Sequence, residues 1–134
     1  ALLNVIKTLR ELGPRRLMVV FGCGGDRDRQ KRPLMAEVVD QNADYAIATS
    51  DNPRKENPDA IIAEIEKGFR SDRYEKISDR AKAIARAVEL AQPRDIVLIA
   101  GKGHEAYQEF ADHTIPFDDI HVARRAIEDH PVEF

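Results

Sequence analysis

The chain has 134 residues, 43% hydrophobic and 34% charged, and its 21 Lys and Arg nearly balance 24 Asp and Glu for a formal net charge of −3. Such a composition supplies a core and excludes a self-repelling, disordered chain; it also speaks against a dedicated nucleic-acid binder, which carries a basic excess. No apolar run approaches the roughly 18 residues of a membrane span, and the single cysteine, Cys23, has no partner for an internal disulfide, which fits a reducing cytoplasm.

The first twelve residues, Ala1 to Leu12, form an amphipathic helical pattern with Leu2, Leu3, Val5, Ile6, Leu9 and Leu12 on one face. Neither an initiator Met nor an N-cap precedes it, which predicts a single domain, 1–134, cut from a longer protein. Gly13-Pro14 ends this helix. The apolar run Leu17–Phe21, stopped by Gly22-Cys23-Gly24-Gly25, reads as a buried parallel strand. A helix is predicted over Pro33–Gln41 with Pro33 near N1, and a strand over Tyr45–Thr49. Asn57 as N-cap and Pro58 at N1 start a helix that places Ile61, Ile62, Ile65 and Phe69 on one face. Tyr74–Ile77 reads as a short edge strand, and Ser78 as the N-cap of a helix over Asp79–Ala91. Asp95–Ala100 is the strongest strand signal in the chain; a short strand over Tyr107–Phe110 and a last helix over Asp118–Glu128 follow. Strands alternating with helices predict an α/β fold, a Rossmann-like open and mostly parallel sheet with flanking helices.

Three apolar strands therefore end in polar loops, at Gly22, Ser50 and Gly101. In parallel sheets the ligand crevice lies beyond the carboxyl ends of the strands, so the three loops are expected on one rim. Their residues are Gly22-Cys23-Gly24-Gly25-Asp26-Arg27-Asp28, Asp51-Asn52-Pro53-Arg54 and Gly101-Lys102-Gly103-His104-Glu105. Glycines admit a close backbone, Arg offers paired donors to a carboxylate or phosphate, and acids accept from an ammonium, a set suited to a small zwitterion. The charge is uneven too: residues 1–35 hold 8 Lys and Arg against 3 Asp and Glu, a modest basic region able to meet an anion or simply to be solvated.

Blander readings stand beside these. Arg27 occupies the third glycine position of a dinucleotide G-x-G-x-x-G fingerprint, and no G-x-x-x-x-G-K-[ST] phosphate loop occurs. Cys23 reads as a small buried residue or a nucleophile, and His104 beside Glu105 as an acid–base pair or as neighbours pointing apart. Asp51-Asn52-Pro53-Arg54 is equally ordinary turn chemistry, and the remaining histidines lack zinc-site spacing, so no metal site is expected.

Taken together, three segments resemble the signatures of the Mur ligases. They are Gly22–Asp28 with Lys31-Arg32-Pro33-Leu34-Met35; Thr49–Arg54 with its D-N-P-R; and Ala100–Glu105 with Tyr107-Gln108 and Phe117-Asp118-Asp119. They occur in family order, and the resemblance spans essentially the whole chain. It implies the C-terminal, amino-acid-binding domain of a three-domain ligase, with a Rossmann-like fold. It further implies ATP-dependent amide formation through an acyl phosphate in peptidoglycan synthesis, in the cytoplasm. D-N-P-R implies meso-diaminopimelate as the amino acid added to a UDP-MurNAc-dipeptide. ATP and Mg2+ would be bound mainly by the other domains, no catalytic residue falls in this chain, and the isolated domain is expected to be inactive.

The resemblance carries the diaminopimelate site onto Arg27, Asp51, Asn52, Pro53, Arg54, Gly101 and Glu105. Arg54 and Asn52 would take the distal carboxylate, Glu105 and the Gly101 carbonyl the distal ammonium, and Arg27 the carboxylate beside the reacting amine. Asp51 would shape the loop and orient Arg54. Lys31 and Arg32 would face phosphate or a neighbouring domain. A ligase for another amino acid such as lysine, a stand-alone zwitterion-binding module and a plain nucleotide-binding domain are the competing readings.

Overall fold

In the computed structural model the described residues are 2–101 and 105–129. Four parallel strands form one sheet: β1 (Leu17–Phe21), β2 (Tyr45–Ala48), β3 (Tyr74–Lys76) and β4 (Ile96–Ile99), in the order β3-β2-β1-β4. Among the described residues five helices flank it: α1 (Leu2–Arg10), α2 (Lys31–Asn42), α3 (Pro58–Glu66), α4 (Arg80–Leu90) and α5 (Asp119–Asp129). A separate antiparallel ribbon pairs β5 (Tyr107–Glu109) with β6 (Thr114–Pro116).

The two-residue period of the strands sorts the core into two layers. Leu17, Val19 and Phe21 of β1 pack with Ile6, Ala36, Val39, Ile61, Ile62 and Ile65 from α1, α2 and α3. Val20 and Ile47 face the other way, onto Ala83, Ile84 and Ala87 of α4 and the α5 residues Val122 and Ala123. Every side chain of β1 is buried, as a central parallel strand covered on both faces requires. Burying each such Val, Leu or Ile contributes about 1.5–3 kcal/mol.

Three local differences from the sequence reading have simple causes. Helix α2 starts two residues before Pro33, because a first-turn proline needs no hydrogen-bonded N–H. Asp79, not Ser78, caps α4, accepting from the Lys82 N–H; the Ser78 carbonyl instead accepts from the hydroxyls of Thr49 and Ser50. The most apolar run, β4, is an edge strand and only half-buried, with β1 on one side.

Because β2 and β4 flank β1 on opposite sides, chain direction reverses about β1, and the switch-point crevice opens at its carboxyl end. Gly22, Ser50 and Gly101 all leave the sheet at that end.

Candidate functional site

The loop after β1 and the D-N-P-R loop after β2 are locked together by their main chains. The Gly25 N–H donates to the Asn52 carbonyl at 2.7 Å, and Arg54 Nη1 donates to the Gly25 carbonyl at 2.9 Å. No side chain fits between them: a Cβ on Gly25 would lie 1.8 Å from the Pro53 oxygen, and one on Gly22 2.5 Å from the Thr49 oxygen. These two glycines are needed for close approach rather than for an unusual φ.

Arg54 itself has φ +52°, in the left-handed region that an arginine seldom occupies. The strain is held by three groups. Its N–H donates to the Glu109 carbonyl at 3.0 Å, its Nη1 to Gly25, and its Nε lies 3.3 Å from Glu109 Oε2. Strand β5 secures the rest of the loop. Gln108, 3% exposed, donates to Ser50 Oγ at 2.8 Å and to the Asp51 carbonyl at 2.7 Å. The Glu109 N–H donates to Asn52 Oδ1 at 2.9 Å. With its oxygen engaged, the buried Asn52 amide presents Nδ2, which donates to Glu105 Oε2 at 3.3 Å.

A cleft of about 550 Å³ opens beside this assembly, lined by Cys23, Arg27, Lys31, Asp51 and Gly101 among others. Gly101 lies against Asp51, whose Oδ2 would be 3.6 Å from a Cβ placed there. The predicted residues thus divide into two adjoining groups: Arg27, Asp51 and Gly101 at the cleft, and Asn52, Pro53, Arg54 and Glu105 around the D-N-P-R turn. Arg27 is exposed, with Nη1 3.3 Å from the Asp26 carbonyl. His104, the other half of the acid–base pair considered from sequence, lies outside the described residues.

Lys31 and Arg32 part company. Lys31 is exposed at the cleft. Arg32 is 1% exposed, and its guanidinium donates to Glu56 at 3.0 and 2.7 Å, Glu64 at 3.0 Å and the Gly24 carbonyl at 3.1 Å. It braces the loop after β1 against the start of α3. Glu56 also accepts from the Asp26 N–H, and the Arg32 guanidinium, followed by that N–H, draws its carboxyl down to about 2. Cys23 sits at the cleft with Sγ 3.5 Å from Met35 Sδ. Burial, opposed in part by Arg32, pushes its thiol up to about 11, the opposite of what a nucleophile needs.

Arg80 carries no motif that marks it in the sequence. It stands at the first position of α4, 1% exposed, and grips Asp119 of α5 through Nε and Nη2 at 2.8 and 2.7 Å. Its other hydrogens go to the Ser50 carbonyl at 3.0 Å and the Ala100 carbonyl at 3.2 Å. One buried guanidinium thus ties the exits of β2 and β4. A cation at a helix N-terminus opposes the helix dipole; Asp79 and Asp119 offset it.

Residues 1–103 match the family model described as "Mur ligase, glutamate ligase domain". The chain belongs to the Mur ligase family. Its four-stranded parallel sheet with flanking helices is the C-terminal domain fold of Mur ligases. Among its relatives, UDP-N-acetylmuramoyl-L-alanyl-D-glutamate--2,6-diaminopimelate ligase of Halalkalibacterium halodurans is 54% identical over 126 residues, 94% of this chain and 26% of that protein. The protein of the same name from Chlamydia trachomatis serovar D is 55% identical over 129 residues, 95% of this chain and 26% of that one. A solved structure of such a ligase superposes with a TM-score of 0.90 at 48% identity, covering 96% of this chain and 27% of the other. The chain therefore spans about a quarter of the length of these Mur ligases. No helix among its described residues is long and apolar enough to cross a membrane.

Proposed function

We propose that this domain binds meso-diaminopimelate and aligns its free amine for ATP-dependent amide formation with a UDP-MurNAc-dipeptide in the cytoplasm. The observation that carries this reading is the D-N-P-R turn. A strained Arg54 shares this turn with a buried Asn52 amide whose Nδ2 donates to the Glu105 carboxylate at 3.3 Å. That is two donors for a carboxylate beside an acceptor for an ammonium, the pattern of an amino-acid end group. Arg54 and Asn52 take the distal carboxylate, and Glu105 with the Gly101 carbonyl takes the distal ammonium. At the adjoining cleft, Arg27 takes the carboxylate next to the reacting amine. Held at one end, the ligand presents the amine at its other end to the activated dipeptide carboxyl, the acyl donor, which converts an encounter into a positioned attack.

Asp51 and Pro53 shape the turn, and Lys31 faces phosphate or a neighbouring domain. Arg32 braces the loop that carries Arg27. ATP supplies the energy by activating the dipeptide carboxyl, with Mg2+ on its phosphates. Among the described residues there is no group of three or more His, Cys, Asp or Glu side chains that could hold a metal ion.

The test is Arg54→Ala in the full-length ligase, assayed with diaminopimelate and with lysine at fixed ATP and UDP-sugar dipeptide. Lysine lacks the distal carboxylate, and a site built around a polar group rejects an analogue without it by on the order of 10⁴-fold. Losing Arg54 is expected to cut kcat/KM for diaminopimelate by a large factor, leave lysine little changed and collapse the preference. A preference that survives would place the discriminating group elsewhere.

A further inference from the structure

We propose that Glu109 sets how strictly the site demands a distal carboxylate, by acting as a resident counter-ion on one edge of Arg54. The proposal rests on the reading of Arg54 given above. A guanidinium offers its N–H groups along two faces that fit a carboxylate, the Nε/Nη2 edge and the Nη1/Nη2 end. Glu109 Oε2 lies 3.3 Å from Nε, so the first is already flanked by negative charge. Nη1 is given to the Gly25 carbonyl at 2.9 Å, and Nη2 meets no partner among the described residues. An incoming carboxylate therefore meets Arg54 at Nη2, with the Glu109 charge close behind.

The placement of Glu109 does not depend on its side chain. Its N–H donates to Asn52 Oδ1 at 2.9 Å and its carbonyl accepts from the Arg54 N–H at 3.0 Å, so strand β5 holds the residue against the turn whatever its carboxylate does. The carboxylate thus adds its charge beside Arg54 at a position that the main chain already fixes. In the empty site it compensates Arg54. With diaminopimelate bound it opposes the ligand's distal carboxylate. With lysine bound it remains as the partner that the ligand fails to supply. Glu109 accordingly weakens diaminopimelate, favours lysine, and lowers the ratio between them. Because its side chain is 42% exposed, solvent screens the effect to a modest size.

The experiment is Glu109→Gln in the full-length ligase, which keeps the length of the side chain and the main-chain contacts and removes the charge. Expected are a KM for diaminopimelate about three- to fivefold lower, a lower kcat/KM for lysine, and an unchanged KM for ATP, the magnitude being that of a partly exposed ion pair. The gap between wild type and variant should narrow at high ionic strength. A role confined to holding Arg54 in place would make Glu109→Gln resemble Arg54→Ala, with the ratio falling. That outcome, or an unchanged ratio, overturns the proposal. The underlying reading fails differently: a wild-type enzyme that does not use diaminopimelate, or an Arg54→Ala variant that keeps its preference.

Discussion

Arg80 and Asp119 face each other through two parallel N–H···O contacts of 2.8 and 2.7 Å, with side chains only 0% and 8% exposed. Removing one partner strands the other charge. Arg80→Met should therefore cost about 3–5 kcal/mol, whereas the double variant Arg80→Met with Asp119→Leu should recover a good part of it. Thermal unfolding of the two variants checks this. A double variant no more stable than the single one would show that the carbonyls of Ser50 and Ala100, rather than the ion pair, are what Arg80 is needed for.

Gly25→Ala tests the lock between the first two loops. The new methyl meets backbone, with the Pro53 oxygen at 1.8 Å and its carbon at 2.5 Å, and no rotamer can relieve that. The loops must separate, breaking the 2.7 Å contact from Gly25 to Asn52. The expected result is a loss of about 1–3 kcal/mol of stability and a raised KM for the amino acid, with that for ATP near normal. Wild-type amino-acid kinetics would mean the lock does not set the site.

Cys23 should be inert. With its thiol at about 11, only on the order of 10⁻⁴ of it is thiolate at pH 7. Alkylation should be slow in the folded protein and fast after unfolding, and Cys23→Ala should retain most of kcat. Rapid labelling of the native protein at neutral pH would contradict the burial.

Glu56 gives a pH prediction with a definite sign. Its folded pKa of about 2 lies below the ordinary 4.5, so the unfolded chain binds the proton more tightly. The stabilisation is complete above about 4.5 and is lost as pH falls toward 2. Since its side chain is a quarter exposed, the loss is about 1–2 kcal/mol. Glu56→Gln should flatten the stability profile over that window, and acid titration of unfolding in both proteins measures it.

The alternation of apolar strands and amphipathic helices made the sheet and the position of the rim legible, because burial patterns repeat locally. Asn57 and Pro58 announced α3 for the same reason. What sequence could not reveal were partners far apart in the chain. Arg80 falls within a predicted helix with no local feature to mark it, yet it reaches Asp119, Ala100 and Ser50 across 39, 20 and 30 positions. Gln108 and Glu109 looked like strand residues and prove to fasten the D-N-P-R turn. Strand β6 escaped notice since all three of its residues are exposed and one is proline, so no apolar alternation marks it. Arg32, expected to face phosphate or a neighbouring domain, is buried instead, and nothing local announces this because its carboxylate partners, Glu56 and Glu64, lie 24 and 32 residues away.

The Arg80 tie also fixes when the site comes into being. Strands β1 to β4 can associate once the chain has been made through Ile99, because all their pairings lie upstream of that point. Gln108 and Asp119 come later, and until Asp119 emerges Arg80 is a buried cation lacking its carboxylate. During synthesis the sheet can therefore pair before the loop after β2 is fastened, because α5 supplies the Asp119 carboxylate only later. A ribosome-bound chain stopped short of α5 would carry a sheet without a finished binding rim.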